Sequence, residues 1–184
     1  MRWLTLYARS RQVPATLAVI LIGTASAWAF TRDGTGDPRL TTLAVATGAM
    51  AASTGLGGQD PALDRTAAIR WTTRRAAHVL LAAALLTAAL LVTGTPVALI
   101  ARDSAGLMGL AALGAALHGA HHAWTLPFGW LALAFVTPPP TSTATRIVSW
   151  PLLPPGSTAA AWTALALTVT GVTAYALAGP SRRG

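Results

Sequence analysis

Residues 59–77 read QDPALDRTAAIRWTTRRAA and form the only long charged segment between apolar runs of this chain. Asp60 can accept backbone N–H bonds as an N-cap and Pro61 suits the first helical position, so a short helix is predicted to begin there. Four arginines follow within eleven residues, at Arg65, Arg70, Arg74 and Arg75. Arginine clusters between membrane spans stay on the cytoplasmic side. The segment is therefore predicted to be a short cytoplasmic helix that joins two membrane spans.

The composition is typical of a membrane protein with several spans. Of 184 residues, 53% are hydrophobic and only 10% are charged, whereas soluble domains carry about 25% charged residues. The net charge of +8 comes from arginines that flank apolar runs, so no nucleic-acid partner is expected. The absence of cysteine excludes a disulfide and a thiolate metal site.

The apolar runs predict an all-α membrane protein with six transmembrane helices, preceded by an interfacial helix at residues 1–12. The predicted spans are 13–30, 40–56, 76–100, 105–120, 123–137 and 158–178. The fifth has only fifteen residues, so it needs tilt, local thinning of the bilayer or a re-entrant path. Nine arginines then fall on the side of the termini and four on the other. This excess predicts cytoplasmic termini in the cell membrane.

The first span has a second interpretation. Its end reads ASAWA at residues 25–29, and a basic start, an apolar run and an A-x-A pattern also fit a cleavable signal peptide. Because the rest of the chain is itself membrane-embedded, we expect the first span to be retained.

Small residues recur at helical spacing in two of the predicted spans. The second span carries Ala44, Gly48 and Ala52, and the fourth carries Ala111, Ala115 and Gly119. Such faces let neighbouring helices approach closely. We expect both spans to lie inside a bundle.

Few side chains are placed to carry out chemistry. All five aspartates are predicted to lie in connections, and Arg102 with Asp103 is interpreted as a solvated polar corner between the third and fourth spans, with a gate or substrate contact as the alternative. Trp130 is interpreted as a packing residue, with a pathway for an apolar substrate as the alternative. No phosphate-binding G-x-x-x-x-G-K-[ST] motif occurs. We therefore predict a non-catalytic chain without a cofactor.

The histidines allow two interpretations. His118, His121 and His122 lie at i, i+3 and i+4, a spacing that metal-ligating histidines use, and His78 is predicted at a similar depth. The four could form a metal or haem site. No carboxylate lies nearby, which favours a polar turn at the inner interface instead.

The chain resembles a known family in four segments. These are the N-terminal interfacial helix, the DPALDRTA run at 60–67 with the arginines and His78 after it, GLMGL at 106–110, and WPLLPP at 150–155. Together they resemble the small six-span permease subunits of bacterial ATP-binding-cassette exporters of the type-2 kind.

The resemblance implies a role for the charged segment and a set of partners. A separate ATPase would dock on the coupling residues, namely Asp60, Leu63, Asp64, Arg65, Arg70, Arg74 and Arg75. A single copy of this size could not enclose a pathway, so a homodimer, or a heterodimer with another permease, is implied in the lipid bilayer. Apolar or amphipathic cargo is expected, since buried charge is lacking. The alternatives are a metal- or haem-binding membrane protein and a non-transporting scaffold or immunity protein.

Overall fold

The computed structural model describes residues 13–31, 37–57 and 71–181, and these ranges contain helices and no strand. The helices are α1 Val13–Thr31, α2 Pro38–Ser53, α3 Trp71–Leu90, α4 Val97–His118, α5 Thr125–Val136, α6 Thr143–Val148 and α7 Thr158–Ala178. Short 3-10 turns follow at Thr54–Leu56, Leu91–Thr93, Ala120–His122 and Trp150–Leu152. The predicted interfacial helix at 1–12 lies outside the described residues.

Local sequence signals define several helix ends. The Asp37 side chain accepts a hydrogen bond from the Arg39 backbone N–H (2.9 Å) at the start of α2. The Ser157 hydroxyl accepts one from the Ala160 N–H (3.4 Å) at the start of α7. Gly179 ends α7 with a φ of 70°, a conformation that glycine adopts without a Cβ penalty. These caps satisfy backbone groups that a helix end leaves unpaired.

Helix α4 is the central helix of the bundle. In its most apolar window 72% of the residues are buried, against 28% in the corresponding windows of α3 and α7. Its mean hydropathy of 1.4 is nevertheless lower than the value of 2.2 for the Trp71–Thr93 segment. Glycine and alanine along α4 leave room for neighbours on all sides, whereas Leu80, Leu81 and Leu85 of α3 are at least half exposed. This distribution is typical of a membrane bundle, where lipid is as apolar as the core.

Among the described helices, the closest contact joins α4 to α7. A Cβ atom built on Gly109 would lie 2.6 Å from the Leu167 carbonyl oxygen and 2.6 Å from the Thr168 Cα. A Cβ on Gly171 would overlap the backbone carbonyl of Gly109. The two backbones can approach this closely only because neither glycine carries a side chain.

Successive passes of the chain alternate in direction between two ends of the bundle. At the end that we call the Arg102 end, the Thr42 hydroxyl of α2 bonds Asp103 of α4 (3.2 Å). At the opposite Tyr175 end, the Tyr175 hydroxyl of α7 donates to the Leu56 carbonyl (2.7 Å). The chain returns from the Tyr175 end to the Arg102 end through α5, α6 and the turn Trp150–Leu152.

The described residues contain three helices that are long and apolar enough to cross a membrane. They are Trp71–Thr93, Val97–His118 and Thr158–Ala178. The prediction of an all-helical membrane protein is confirmed at this level.

Two element boundaries differ from the sequence predictions. The break between the third and fourth runs lies at Gly94–Pro96, where Gly94 has a φ of 71°, rather than at Arg102 and Asp103. Helix α4 continues through that pair because both side chains find partners inside the protein. Helix α5 has twelve residues, about 18 Å at the usual helical rise, which is short of the roughly 30 Å of a bilayer core. The structure therefore has, in place of the predicted fifth span at 123–137, a helix that is too short to cross a bilayer by itself.

The small-residue face of α2 packs against two neighbouring helices. A Cβ on Gly48 would overlap the Leu86 side chain of α3 and lie 3.5 Å from Ile20 of α1. Ala44 lies beside Gly23 of α1. The close contacts of this face are therefore with α1 and α3.

Candidate functional site

A buried ion pair lies in the first half of α4. The Arg102 Nε donates to Asp103 Oδ1 at 2.9 Å. The side chain of Asp103 is 0% exposed and that of Arg102 is 6% exposed. Ionisable residues inside membrane helices are costly, and they commonly mark functional positions.

The Arg102 guanidinium group also donates hydrogen bonds to backbone carbonyls in the segment between α6 and α7. Its Nη1 donates to the Pro154 carbonyl (3.0 Å) and its Nη2 to the Leu153 carbonyl (2.9 Å), with the Pro151 carbonyl at 3.5 Å from Nη2. Prolines in this segment supply no N–H and stop helix formation. Carbonyl groups of the WPLLPP segment are thereby left available to Arg102.

Helix α2 completes this arrangement. The Thr42 hydroxyl lies 3.2 Å from Asp103 Oδ2 and 3.1 Å from the Pro151 carbonyl, within donating distance of both oxygens. The hydroxyl groups of Thr41 and Thr95 are 2.9 Å apart nearby. We call the ion pair, Thr42 and the carbonyls of Pro151, Leu153 and Pro154 the Arg102 site.

The Arg102 site corrects two sequence interpretations. Arg102 and Asp103 are not a solvated corner, and Asp103 is an acid inside a membrane-length helix. The signal that was missed is the combination of an adjacent Arg-Asp pair with a proline-rich segment. The partners lie about fifty positions apart in the chain, so spacing alone could not connect them.

Two tryptophans pack near this end. The Trp150 side chain is fully buried against Gly106, where a Cβ would lie 3.0 Å from its Cζ2, and its Nε1 has no hydrogen-bond partner in the described part of the chain. The Trp130 Nε1 donates to the Val148 carbonyl at 3.0 Å. This bond favours the packing interpretation of Trp130 over a substrate pathway.

The Tyr175 end gathers the ends of four helices. Besides the Tyr175 bond to Leu56, the guanidinium group of Arg75 lies against Gly179, so the start of α3 contacts the end of α7. The backbone N–H of Ser181 donates to the Ala115 carbonyl near the end of α4 (2.9 Å). The ends of α2, α3 and α4 thus all contact α7 or the residues that follow it.

Only part of the predicted coupling segment can be placed. Asp60, Leu63, Asp64, Arg65 and Arg70 lie outside the described residues. Arg74 is exposed, with its guanidinium carbon 5.8 Å from the centroid of the Trp71 ring. Arg75 is partly buried against Gly179. Both arginines lie near the start of α3, at the Tyr175 end of the bundle.

The four histidines are not gathered around one point. His118, His121 and His122 are exposed, and the rings of His121 and His122 meet edge to face at 5.0 Å. His78 lies on α3, with its Nε2 next to Gly55. Within the described ranges, no group of three or more histidine or acidic side chains is placed to hold a metal ion.

Comparison of the chain with family models, curated proteins and solved structures found no match. Its class therefore rests on its own geometry. It is a helical membrane protein with a buried ion pair at one end of the bundle and an arginine-rich helix start at the other.

Proposed function

We propose that this chain is a transmembrane permease subunit of an ATP-binding-cassette exporter that works with a separate ATPase. In this proposal residues 59–77 carry the docking site for the ATPase. The Tyr175 end then faces the cytoplasm. The chain itself hydrolyses no nucleotide.

One observation carries the proposal most directly. The two described flanks of the charged segment, Gly57 and Trp71, belong to the helix ends that meet at the Tyr175 end. Leu56 is bonded to Tyr175, and Arg75 contacts Gly179. A force applied by a docked ATPase between these flanks would reach α2, α3 and α7 together.

The contacts at both ends favour movement of the bundle as one body. At the Arg102 end, α2, α4 and the segment before α7 share hydrogen bonds. In the middle, Gly109 and Gly171 bring the backbones of α4 and α7 together. Close packing of this kind allows discrete rearrangements rather than gradual sliding. The pathway would open between this chain and a second permease, as a homodimer or a heterodimer.

The proposed topology has six passes through the cell membrane, with both termini in the cytoplasm. The alternating directions of α1, α2, α3, α4, the α5 to Leu152 segment and α7 support it. The positive-inside rule places Arg74 and Arg75 on the cytoplasmic side, which agrees with this orientation.

The test is affinity purification of the full tagged chain from its host in mild detergent, with mass spectrometry of the proteins that accompany it. We expect a nucleotide-binding ATPase in stoichiometric amount. Replacing Asp64 and Arg65 by alanine should remove the ATPase. The matched control is Arg146→Ala, which changes an exposed arginine of α6 and should leave the ATPase bound.

Other results would reject the proposal. A chain that purifies alone and colourless fits a scaffold or immunity protein. A bound metal or a haem absorption band that disappears in a His118→Ala, His122→Ala variant fits the metal-binding alternative.

A further inference from the structure

We propose that the oxygen atoms around Arg102 form a cation-binding site, and that the guanidinium group of Arg102 is its resident, covalently attached cation. The ligand class that this site accepts in exchange is a guanidinium or primary ammonium group. The inference concerns the chain alone. Its extension to cargo rests on the proposed function.

The first argument is the composition of the site. A carboxylate oxygen of Asp103 and the carbonyl oxygens of Leu153 and Pro154 lie 2.9 to 3.0 Å from the three guanidinium nitrogens. Every one of these atoms is a hydrogen-bond acceptor, and a guanidinium group has only donors. Positive charge with N–H donors is therefore the chemistry that this set of atoms selects.

The second argument is that the acceptors are positioned by contacts other than those with Arg102. Thr42 holds Asp103 Oδ2 and the Pro151 carbonyl from the side of α2. The Pro154 carbonyl also accepts the Ser157 N–H at 3.0 Å, which fixes it at the start of α7. Withdrawal of the guanidinium group would leave these oxygens in place and without their cation.

The third argument is access. Arg102 lies five residues after Val97, the first residue of α4, so it is about 8 Å from that helix end. Pro154, Pro155 and Gly156 are exposed beside it. In this proposal the guanidinium group, 6% exposed in the structure, leaves the site by rotation of its own side chain, and a small cation enters beside these exposed residues.

The distances also separate classes of cation. Each acceptor oxygen stands at hydrogen-bond distance from a guanidinium nitrogen, and only one of them is a carboxylate oxygen, whereas hard metal ions such as Ca²⁺ take six to eight oxygen ligands. We therefore assign the site to an organic cation with N–H donors. If the chain is an exporter subunit, an amphipathic cargo with an amine or guanidine group fits this site.

The test uses Arg102→Ala in the purified full chain, reconstituted in lipid nanodiscs. The thermal unfolding midpoint is measured while guanidinium chloride is added at low millimolar concentration, well below denaturing amounts. Sodium chloride at equal ionic strength is the salt control. We expect a saturable upward shift of several degrees in Arg102→Ala, because a ligand that binds only the folded state stabilises it. Wild type and Arg146→Ala should show a much smaller shift at the same concentration, because their own Arg102 guanidinium group competes for the site.

Two further variants make the result decisive. Adding Asp103→Asn to Arg102→Ala should abolish the guanidinium response. Arg102→Ser, whose short side chain also vacates the site, replaces Arg102→Ala if the latter does not fold. The inference is overturned if guanidinium shifts wild type and the Arg102 variant equally, or if the response survives Asp103→Asn. Neither result depends on an ATPase, so the cation-site inference can be rejected without rejecting the proposed function, and the reverse.

Discussion

Removing Arg102 should cost more stability than neutralising Asp103, as long as Asp103 stays ionised, although the two side chains form one ion pair. In Arg102→Met, the carboxylate of Asp103 stays fully buried and, among the described residues, keeps only the Thr42 hydroxyl as a donor. In Asp103→Asn, the guanidinium group keeps its bonds to the carbonyls of Leu153 and Pro154. The number of partners that remain therefore differs between the two variants.

The expected magnitudes follow from this difference. Leaving a buried carboxylate without its partner costs about 3–5 kcal/mol, which is our expectation for Arg102→Met at a pH where Asp103 stays ionised; proton uptake by Asp103 lowers this cost. Losing one charge-assisted hydrogen bond while other partners remain costs about 2 kcal/mol, which is our expectation for Asp103→Asn. The double variant should be less unstable than the sum of the two, because the residues are coupled.

Unfolding in mixed micelles with increasing denaturing detergent is the assay, followed by the fluorescence of the seven tryptophans. Arg146→Met is the matched control, because Arg146 is exposed. It should change the unfolding free energy by no more than about 0.5 kcal/mol.

The reasoning is refuted if Asp103→Asn destabilises the chain as much as Arg102→Met does. It is also refuted if Arg102→Met behaves like the Arg146→Met control. Either result would mean that the charge of Asp103 does not depend on Arg102 in the folded protein.

Two glycines and one tyrosine give further predictions. Gly109→Ala should destabilise the chain by about 1–3 kcal/mol, since its Cβ would meet the Leu167 backbone, which cannot move aside without shifting α7. Gly129→Ala in α5, where nothing lies within 4 Å of the added carbon, should instead stabilise it by about 0.5–1 kcal/mol; equal effects in the same unfolding assay would contradict the packing argument. Tyr175→Phe should cost about 1 kcal/mol through loss of the 2.7 Å bond to the Leu56 carbonyl, and faster hydrogen exchange at the end of α2 would show it; unchanged exchange there would count against that link.

The long helices could be predicted because their signals are local. Apolar runs at 13–30, 40–56 and 158–178 closely match α1, α2 and α7, and Ser157 and Gly179 mark the ends of the last one. The third and fourth runs were divided at the wrong place. Charge at Arg102 and Asp103 indicated a corner, although the stronger local signal was the Gly94 to Pro96 turn.

The candidate site residues were also predicted only where the signal is local. The sequence predicts Arg74 and Arg75 in a cytoplasmic helix at 59–77 and a span that begins at residue 76, whereas in the structure both arginines belong to α3, which begins at Trp71. The six-span topology and the role of the charged segment remain predictions. The histidine spacing left a shared metal or haem ligand open as the alternative to a polar turn; in the structure His78 lies on another helix beside Gly55, and all four histidines are exposed.

The sequence by itself determined the class of the protein, because low charge and long apolar runs permit only helices with internally satisfied backbones in a membrane. Only the tertiary structure decided which helix is central and where charge is buried. Helix α4 is central because its small side chains let neighbours pack on every side. Its mean hydropathy is lower than that of the leucine-rich α3 segment, so hydropathy alone would not identify it as the central helix. Arg102 and Asp103 are buried because carbonyl groups some fifty positions later accept the guanidinium hydrogens, and no local pattern contains that contact.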